Sequence, residues 1–208
     1  YSQSTFSYLN KVIKSGKFSI KINKNKFSGI FDYKDSKFNI NKSNIRNYFA
    51  DGKVEGDITL LPYFDFNLDL DLNSMSFTKL YNYFLSLDEN KKKTFFKINN
   101  KMNGKLNLSA EKIYSKHNLV KSFESRMNFY NGNIKIDQFL INLGKLGAAD
   151  IVGNINNDKE FSRFKFDSNV FADNQKKFLR KFGIYDKDKL SSLFISGNFD
   201  FEKIKINF

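Results

Sequence analysis

At 208 residues, 40% apolar and 17% aromatic, the chain is long enough to bury a core and too apolar for a disordered tail. The absence of Cys excludes disulfides and thiolate zinc sites. A net charge of +13 raises the question of a polyanion or an anionic membrane as partner. However, 25 Phe, one Pro and abundant Asn, Lys and Ile are what an A/T-rich genome produces, and the lysines are spread almost evenly. No apolar run reaches the roughly 18 to 20 residues of a membrane-spanning helix, and Tyr1-Ser2-Gln3-Ser4 does not read as a signal peptide. Without an initiator Met, the chain is expected to be a piece of a longer protein whose targeting or anchoring segment lies elsewhere.

The spacing of Tyr8, Leu9, Val12 and Ile13 predicts a short helix over 7–15, ended by Gly16. Phe18, Ile20 and Ile22 then alternate, and Phe27, the Gly29–Tyr33 run and Phe38–Ile40 read as further strands between polar turns. Asp51-Gly52, set between Ile45–Phe49 and Val54–Leu60, is predicted as a tight hairpin turn. The clearest element is Phe64–Leu72. Phe64, Phe66, Leu68, Leu70 and Leu72 line one face while Asp65, Asn67, Asp69 and Asp71 line the other, the period of a strand. Ser74 or Ser76 caps a helix that carries Phe77, Leu80, Tyr81, Phe84 and Leu87 on one buried stripe, and 88–93 reads as a polar linker.

Strands are predicted near 94–98, over 104–113 with Leu106 and Leu108 in phase, over 119–130 and over 133–143. Asn131-Gly132 joins the last two as a second tight turn. Ile134 and Ile136 are out of phase with Phe139, Ile141 and Leu143, which a bulge explains. Strands carrying Ile151 and Ile155, then Phe161, Phe164 and Phe166, lead to a helix capped by Asp173, carrying Phe178, Leu179 and Phe182, and ended by Gly183. Leu193, Ile195, Phe199, Phe201, Ile204, Ile206 and Phe208 form the final strands.

A short pattern recurs at Gly16-Lys17-Phe18, Gly104-Lys105-Leu106 and Gly197-Asn198-Phe199, and the strand-to-helix block 66–87 has a counterpart at 164–182. The chain is expected to be one β-rich domain with repeat units of approximately 1–50, 51–147 and 148–208, an array able to lengthen in one direction.

Nothing in the sequence carries catalysis. His117 is the only histidine, no Gly-x-Ser-x-Gly elbow accompanies it, and Gly144-Lys145-Leu146-Gly147 does not fit a phosphate loop. Asp65, Asp69 and Asp71 share a strand face, without the loop geometry of a calcium site, and read as a solvated surface. A non-enzymatic protein without metal or cofactor is expected.

Gly52-Lys53-Val54-Glu55-Gly56-Asp57-Ile58, the strand Phe64–Leu72 with its following helix, Gly104-Lys105-Leu106-Asn107-Leu108-Ser109-Ala110 and the Gly-punctuated block Phe129–Gly153 together resemble the carboxy-terminal region of AsmA-like proteins. These are relatives of the TamB and YhdP group of Gram-negative cell envelopes. The resemblance covers about 50–208. It implies a long twisted antiparallel sheet, curled into a groove that is apolar inside, with two or three short helices. It also implies a periplasmic protein, anchored to the inner membrane through a segment outside this chain, that carries or shields phospholipid moving toward the outer membrane. Other envelope proteins are possible partners; nucleic acid is not expected.

On that reading the groove is lined by Phe64, Phe66, Leu68, Leu70, Leu72, Leu106, Leu108, Ile134, Ile136, Phe139, Ile141, Phe164, Phe166, Phe199 and Phe201. From the residues alone, an open lining and an ordinary closed core are both consistent with these stripes. Two other classes compete: an outer-membrane β-barrel, for its alternating strands and terminal Ile204-x-Ile206-x-Phe208 pattern, and a basic β-rich polyanion binder.

Overall fold

The computed structural model describes residues 2–9, 13–94, 98–116, 118–157, 162–181, 183, 185, 192–200 and 205–207. They form a single sheet whose first six strands are β1 (Ser2–Leu9), β2 (Ile13–Ile22), β3 (Asn25–Lys34), β4 (Lys37–Arg46), β5 (Ala50–Thr59) and β6 (Asp65–Ser76). After the helices α1 (Phe77–Ser86) and α2 (Glu89–Thr94), the sheet resumes with β7 (Asn103–Ala110), β8 (Ile113–Tyr114), β9 (Ser122–Tyr130), β10 (Asn133–Asn142) and β11 (Ala148–Asn157). It ends with β12 (Ser162–Phe171), the helix α3 (Gln175–Lys181), β13 (Ser192–Asp200) and β14 (Lys205–Asn207). Strands are neighbours in chain order, except that the short β8 lies off the path against β6. The sheet curls without closing, with β1 and β14 at the two ends of the path.

The expected mainly-β, groove-like architecture is therefore what the chain adopts. Pairing at β6 departs from an all-antiparallel pattern: β6 runs parallel to β7, Leu68 facing Leu106 and Leu70 facing Leu108, and parallel to the short β8 beyond it. A parallel pair needs a crossover, and α1 and α2 supply it. Ser76 caps α1 by accepting from the Lys79 amide at 3.3 Å. The crossover starts against the apolar face, where Phe77 stacks on Phe123 with ring centroids 6.1 Å apart, and returns to it where Ile98 packs near Ile134, Ile136 and Ile155.

Several local expectations are overturned. The helix over 7–15 is replaced by strands β1 and β2, paired from Ser2↔Ile20 to Leu9↔Ile13; four apolar residues at helical spacing also suit the two arms of a hairpin. Asp51-Gly52 is not a turn but lies inside β5. The chain reverses at 47–49, where the Asn47 side-chain oxygen accepts from the Phe49 and Ala50 amides at 2.9 and 2.7 Å. The predicted linker 88–93 holds α2, started by Asp88, whose carboxylate accepts from the Lys91 amide at 2.8 Å. Asn174 rather than Asp173 caps α3, accepting from the Lys177 amide at 3.0 Å. No residue of α1 is fully buried, so its apolar stripe is only half covered. Of the strand expected near 94–98, Thr94 ends α2, Ile98 lies outside the sheet and the residues between are not described.

Other expectations hold. Asn131 and Gly132 take φ of 49° and 79°, as a tight turn between β9 and β10 requires, and the register of β10 slips after Ile136 on both of its edges. A further bulge in β4, between Ile40 and Ile45, turns Ser43 inward; its hydroxyl bonds both the amide and the carbonyl of Val54, replacing the ladder bonds lost there.

The two ends of the strands differ. α1, the 115–121 segment, the 3₁₀ turn at Gly144–Leu146 and α3 all join strands at one end, called here the helical end. The turns at 35–36, 60–64 and 131–132 lie at the other.

Candidate functional site

Strand alternation and register place one face of the whole sheet in apolar hands. Phe66, Leu68, Leu70 and Leu72 of β6 lie across from Gly104, Leu106, Leu108 and Ala110 of β7, which in turn face Phe129, Met127, Ser125 and Phe123 of β9. Ile134, Ile136, Phe139 and Ile141 of β10 continue the same rows, followed by Phe164 and Phe166 of β12 and Phe199 of β13. Phe64 precedes β6 with its ring 6.2 Å from that of Phe66. The predicted lining thus forms one continuous surface; Phe201 and His117 lie outside the described residues.

The surface is wider than the sequence reading. Phe18, Phe27, Phe31, Tyr33 and Phe38 carry it across β2, β3 and β4 as a ladder of rings, with Phe18 and Phe27 at 4.7 Å and Tyr33 and Phe38 at 4.6 Å. Tyr33 and Phe38 stand directly opposite each other, and the other rings meet as diagonal cross-strand neighbours. The signal was present in the Gly16-x-Phe18 pattern shared with β7 and β13. In these three strands the glycine stands opposite a phenylalanine: Gly16 faces Phe31, Gly104 faces Phe66 and Phe129, and Gly197 faces Phe166. At Gly104 the rings of Phe66 and Phe129 meet over the bare backbone, 5.2 Å apart.

Little covers this surface. Three clusters are packed: one around Leu72, Ala110 and Phe123 beneath the start of α1, one around Leu146, Val170 and Phe178 beneath α3, and one around Ile134, Ile136 and Ile155. Outside these clusters Phe66, Val54 and Ile40 are also buried and most of the remaining lining is half-buried, but among the described residues no large side chain is fully buried. The chain exposes 14698 Å², whereas a closed monomer of 24.3 kDa exposes about 10,000 Å². A cavity of about 610 Å³ remains between α1 and the sheet, lined by Ile20, Ile22, Phe27, Ile45, Phe49, Leu80 and Tyr83, with Lys26 and Arg46 at its rim.

The opposite face is a polar ladder. Asn107 donates to Asp69 and Ser109 to Asp71, both at 2.7 Å, and Ser196 donates to Asp167 at 2.7 Å. Among the described residues no three His, Asp or Glu side chains are grouped to hold a metal ion, and Asp69 and Asp71 instead bind their neighbours' donors. The amide of Asn39, 2.8 Å away, and then the ammonium of Lys37, at 2.9 Å, hold the Asp57 carboxyl below its ordinary value of 3.8. Ser74 does the same for Asp51. A carboxyl depressed on folding stabilises the fold above its unfolded pKa, and that contribution is lost as pH falls through the lower folded value. Asp57→Asn is therefore expected to flatten the decline of the melting temperature below about pH 4. An unchanged acid limb in thermal melts would show that this pair does not couple to folding.

No helix among the described residues is long and apolar enough to cross a membrane. Neither models of known protein families, nor curated proteins, nor solved structures match this chain.

Proposed function

We propose that the chain is a non-enzymatic lipid-binding module that holds or conducts phospholipid acyl chains along its apolar sheet face, within a longer periplasmic protein anchored to the inner membrane. The observation that carries this reading is an apolar face that stays only half-buried along most of its length. A sheet with one oily side needs a second layer, helices or a ligand over it, and three short helices leave most of this one open. Acyl chains suit such a surface because they need contact area and little directional bonding. Phenyl rings and aliphatic side chains line it from β2 to β13, while headgroups would remain in water at the open edge. The sequence resemblance to AsmA-like proteins supports the same reading. A transmembrane barrel would pair its first and last strands, whereas β1 and β14 here stand at opposite ends of an open path.

The test is native mass spectrometry of protein purified from bacteria, with lipid extracted from the same sample. The wild type is expected to carry phospholipid. Ile20→Asp with Ile22→Asp changes two cavity-lining side chains that are 43% and 64% exposed, so the fold survives while bound lipid falls severalfold. Lipid-free wild-type protein that also takes up no phospholipid from vesicles would overturn the proposal.

A further inference from the structure

Charge is distributed unevenly between the two ends of the sheet. At the helical end, α3 carries Lys176, Lys177, Arg180 and Lys181 among seven residues and no acidic one. Its apolar side, Phe178 and Leu179, packs into the cluster around Leu146 and Val170, leaving all four cations exposed. The adjoining 3₁₀ turn adds Lys145, and Lys121 lies beside it, with its side chain 3.2 Å from where a Cβ on Gly144 would stand. None of these six pairs with a carboxylate among the described residues. Among the described residues of the other end, the turns at 35–36, 60–64, 98–102 and 131–132 hold only Lys101 and Asp35, with Lys34 and Lys37 at the strand ends beside them.

Large side chains stand exposed among these cations. Tyr185, just past α3, is 82% exposed and Phe171, just before it, 53%. At the far side of the same end Tyr48 is 54% exposed beneath the Lys79 ammonium, 5.2 Å from its ring. Cations interleaved with amphipathic aromatics are the chemistry of a membrane–water interface, where rings enter the headgroup layer and basic side chains meet lipid phosphates. A soluble polyanion needs the cations and has less use for exposed Tyr and Phe beside a half-open apolar cavity.

We propose that the helical end of the sheet is a docking face for an anionic phospholipid bilayer, with α3 as its principal contact. This stands independently of whether the apolar face holds lipid. The test is flotation of the purified chain with vesicles of phosphatidylcholine alone and of phosphatidylcholine mixed with phosphatidylglycerol. The wild type is expected to float with the anionic vesicles at low salt, and less so at high salt. Replacing all four α3 cations with Gln lowers the partition coefficient by nearly three orders of magnitude, since each basic residue near an anionic surface contributes about fivefold. Lys176→Gln with Lys177→Gln alone produces about half of that logarithmic loss, and circular dichroism confirms that each variant is folded.

Lys53, Lys105 and Lys165, exposed on the polar face away from the helical end, provide the control; replacing them with Gln leaves flotation nearly unchanged. An equal loss in that control would overturn the proposal in favour of diffuse net charge. Displacement of the protein from vesicles by a short DNA duplex at equimolar phosphate would overturn it in favour of a soluble polyanion. Retained co-purifying lipid without flotation would refute docking and leave the groove reading intact.

Discussion

Gly104→Ala is expected to cost about 3–5 kcal/mol, enough to unfold much of a protein whose total stability is of the usual 5–15 kcal/mol. Gly104 takes φ +149°, a conformation that L side chains rarely adopt, and a Cβ there would stand 2.3 Å from the Phe66 carbonyl oxygen and 2.6 Å from its ring. Phe66→Leu removes the ring and leaves the carbonyl, so the double variant is expected to recover only part of the loss. Gly183→Ala is the control: φ is +72° with nothing within 4 Å of the new methyl, which leaves only the left-handed backbone penalty of about 1–2 kcal/mol. Urea denaturation of the four proteins decides the matter. A Gly104→Ala loss no greater than that of Gly183→Ala would mean that β6 and β7 slide apart easily and that their parallel register is not fixed at this point.

The same residue shows where the sequence was legible. Period-two alternation is a property of the strand itself, so the two faces of Phe64–Leu72, the slip after Ile136 and the turn at Asn131-Gly132 could be read locally and recur in the structure. Gly52 and Gly104 look alike in sequence to any turn-forming glycine, yet both lie inside strands against a neighbouring backbone, a requirement set by residues far along the chain. The parallel β6–β7 junction was illegible for a related reason: two short helices and a coil make a crossover only when the strand that receives them is known. At the candidate site, the alternation marked the lining of β6, β7, β10 and β12. The aromatic ladder of β2–β4 escaped although its strands were read, because only their pairing through β4 and β5 sets Phe18, Phe27, Phe31 and Phe38 on the same face as the β6 lining. Whether the lining would be covered is a matter of how many elements remain to cover it, which becomes countable only once the crossover and α3 have been placed.

Phe123→Ala is expected to remove about 3–5 kcal/mol of stability and to release α1 from the sheet. Phe123 is 5% exposed and sits between two rings, stacked on Phe77 at 6.1 Å and edge-on to Phe139 at 5.3 Å, in the cluster with Leu72, Ala110 and Ile113. Truncation leaves a cavity at the joint where the crossover departs, and it also removes aromatic pairing beyond the buried area. Phe194, 63% exposed, is the comparison, and Phe194→Ala is expected to change stability by no more than about 0.5 kcal/mol. The more informative readout is hydrogen exchange. With no fully buried residue of its own, α1 depends on Phe77 and its flanking contacts to stay against the apolar face. Its amides should therefore lose protection in Phe123→Ala at denaturant concentrations where β9 and β10 remain protected, because local opening no longer has to break that joint. Protection of α1 falling only in step with the whole sheet would mean that the helix is held from its far end. The cavity between α1 and β2–β4 would then be bounded by a fixed wall and not by an element able to lift away from it.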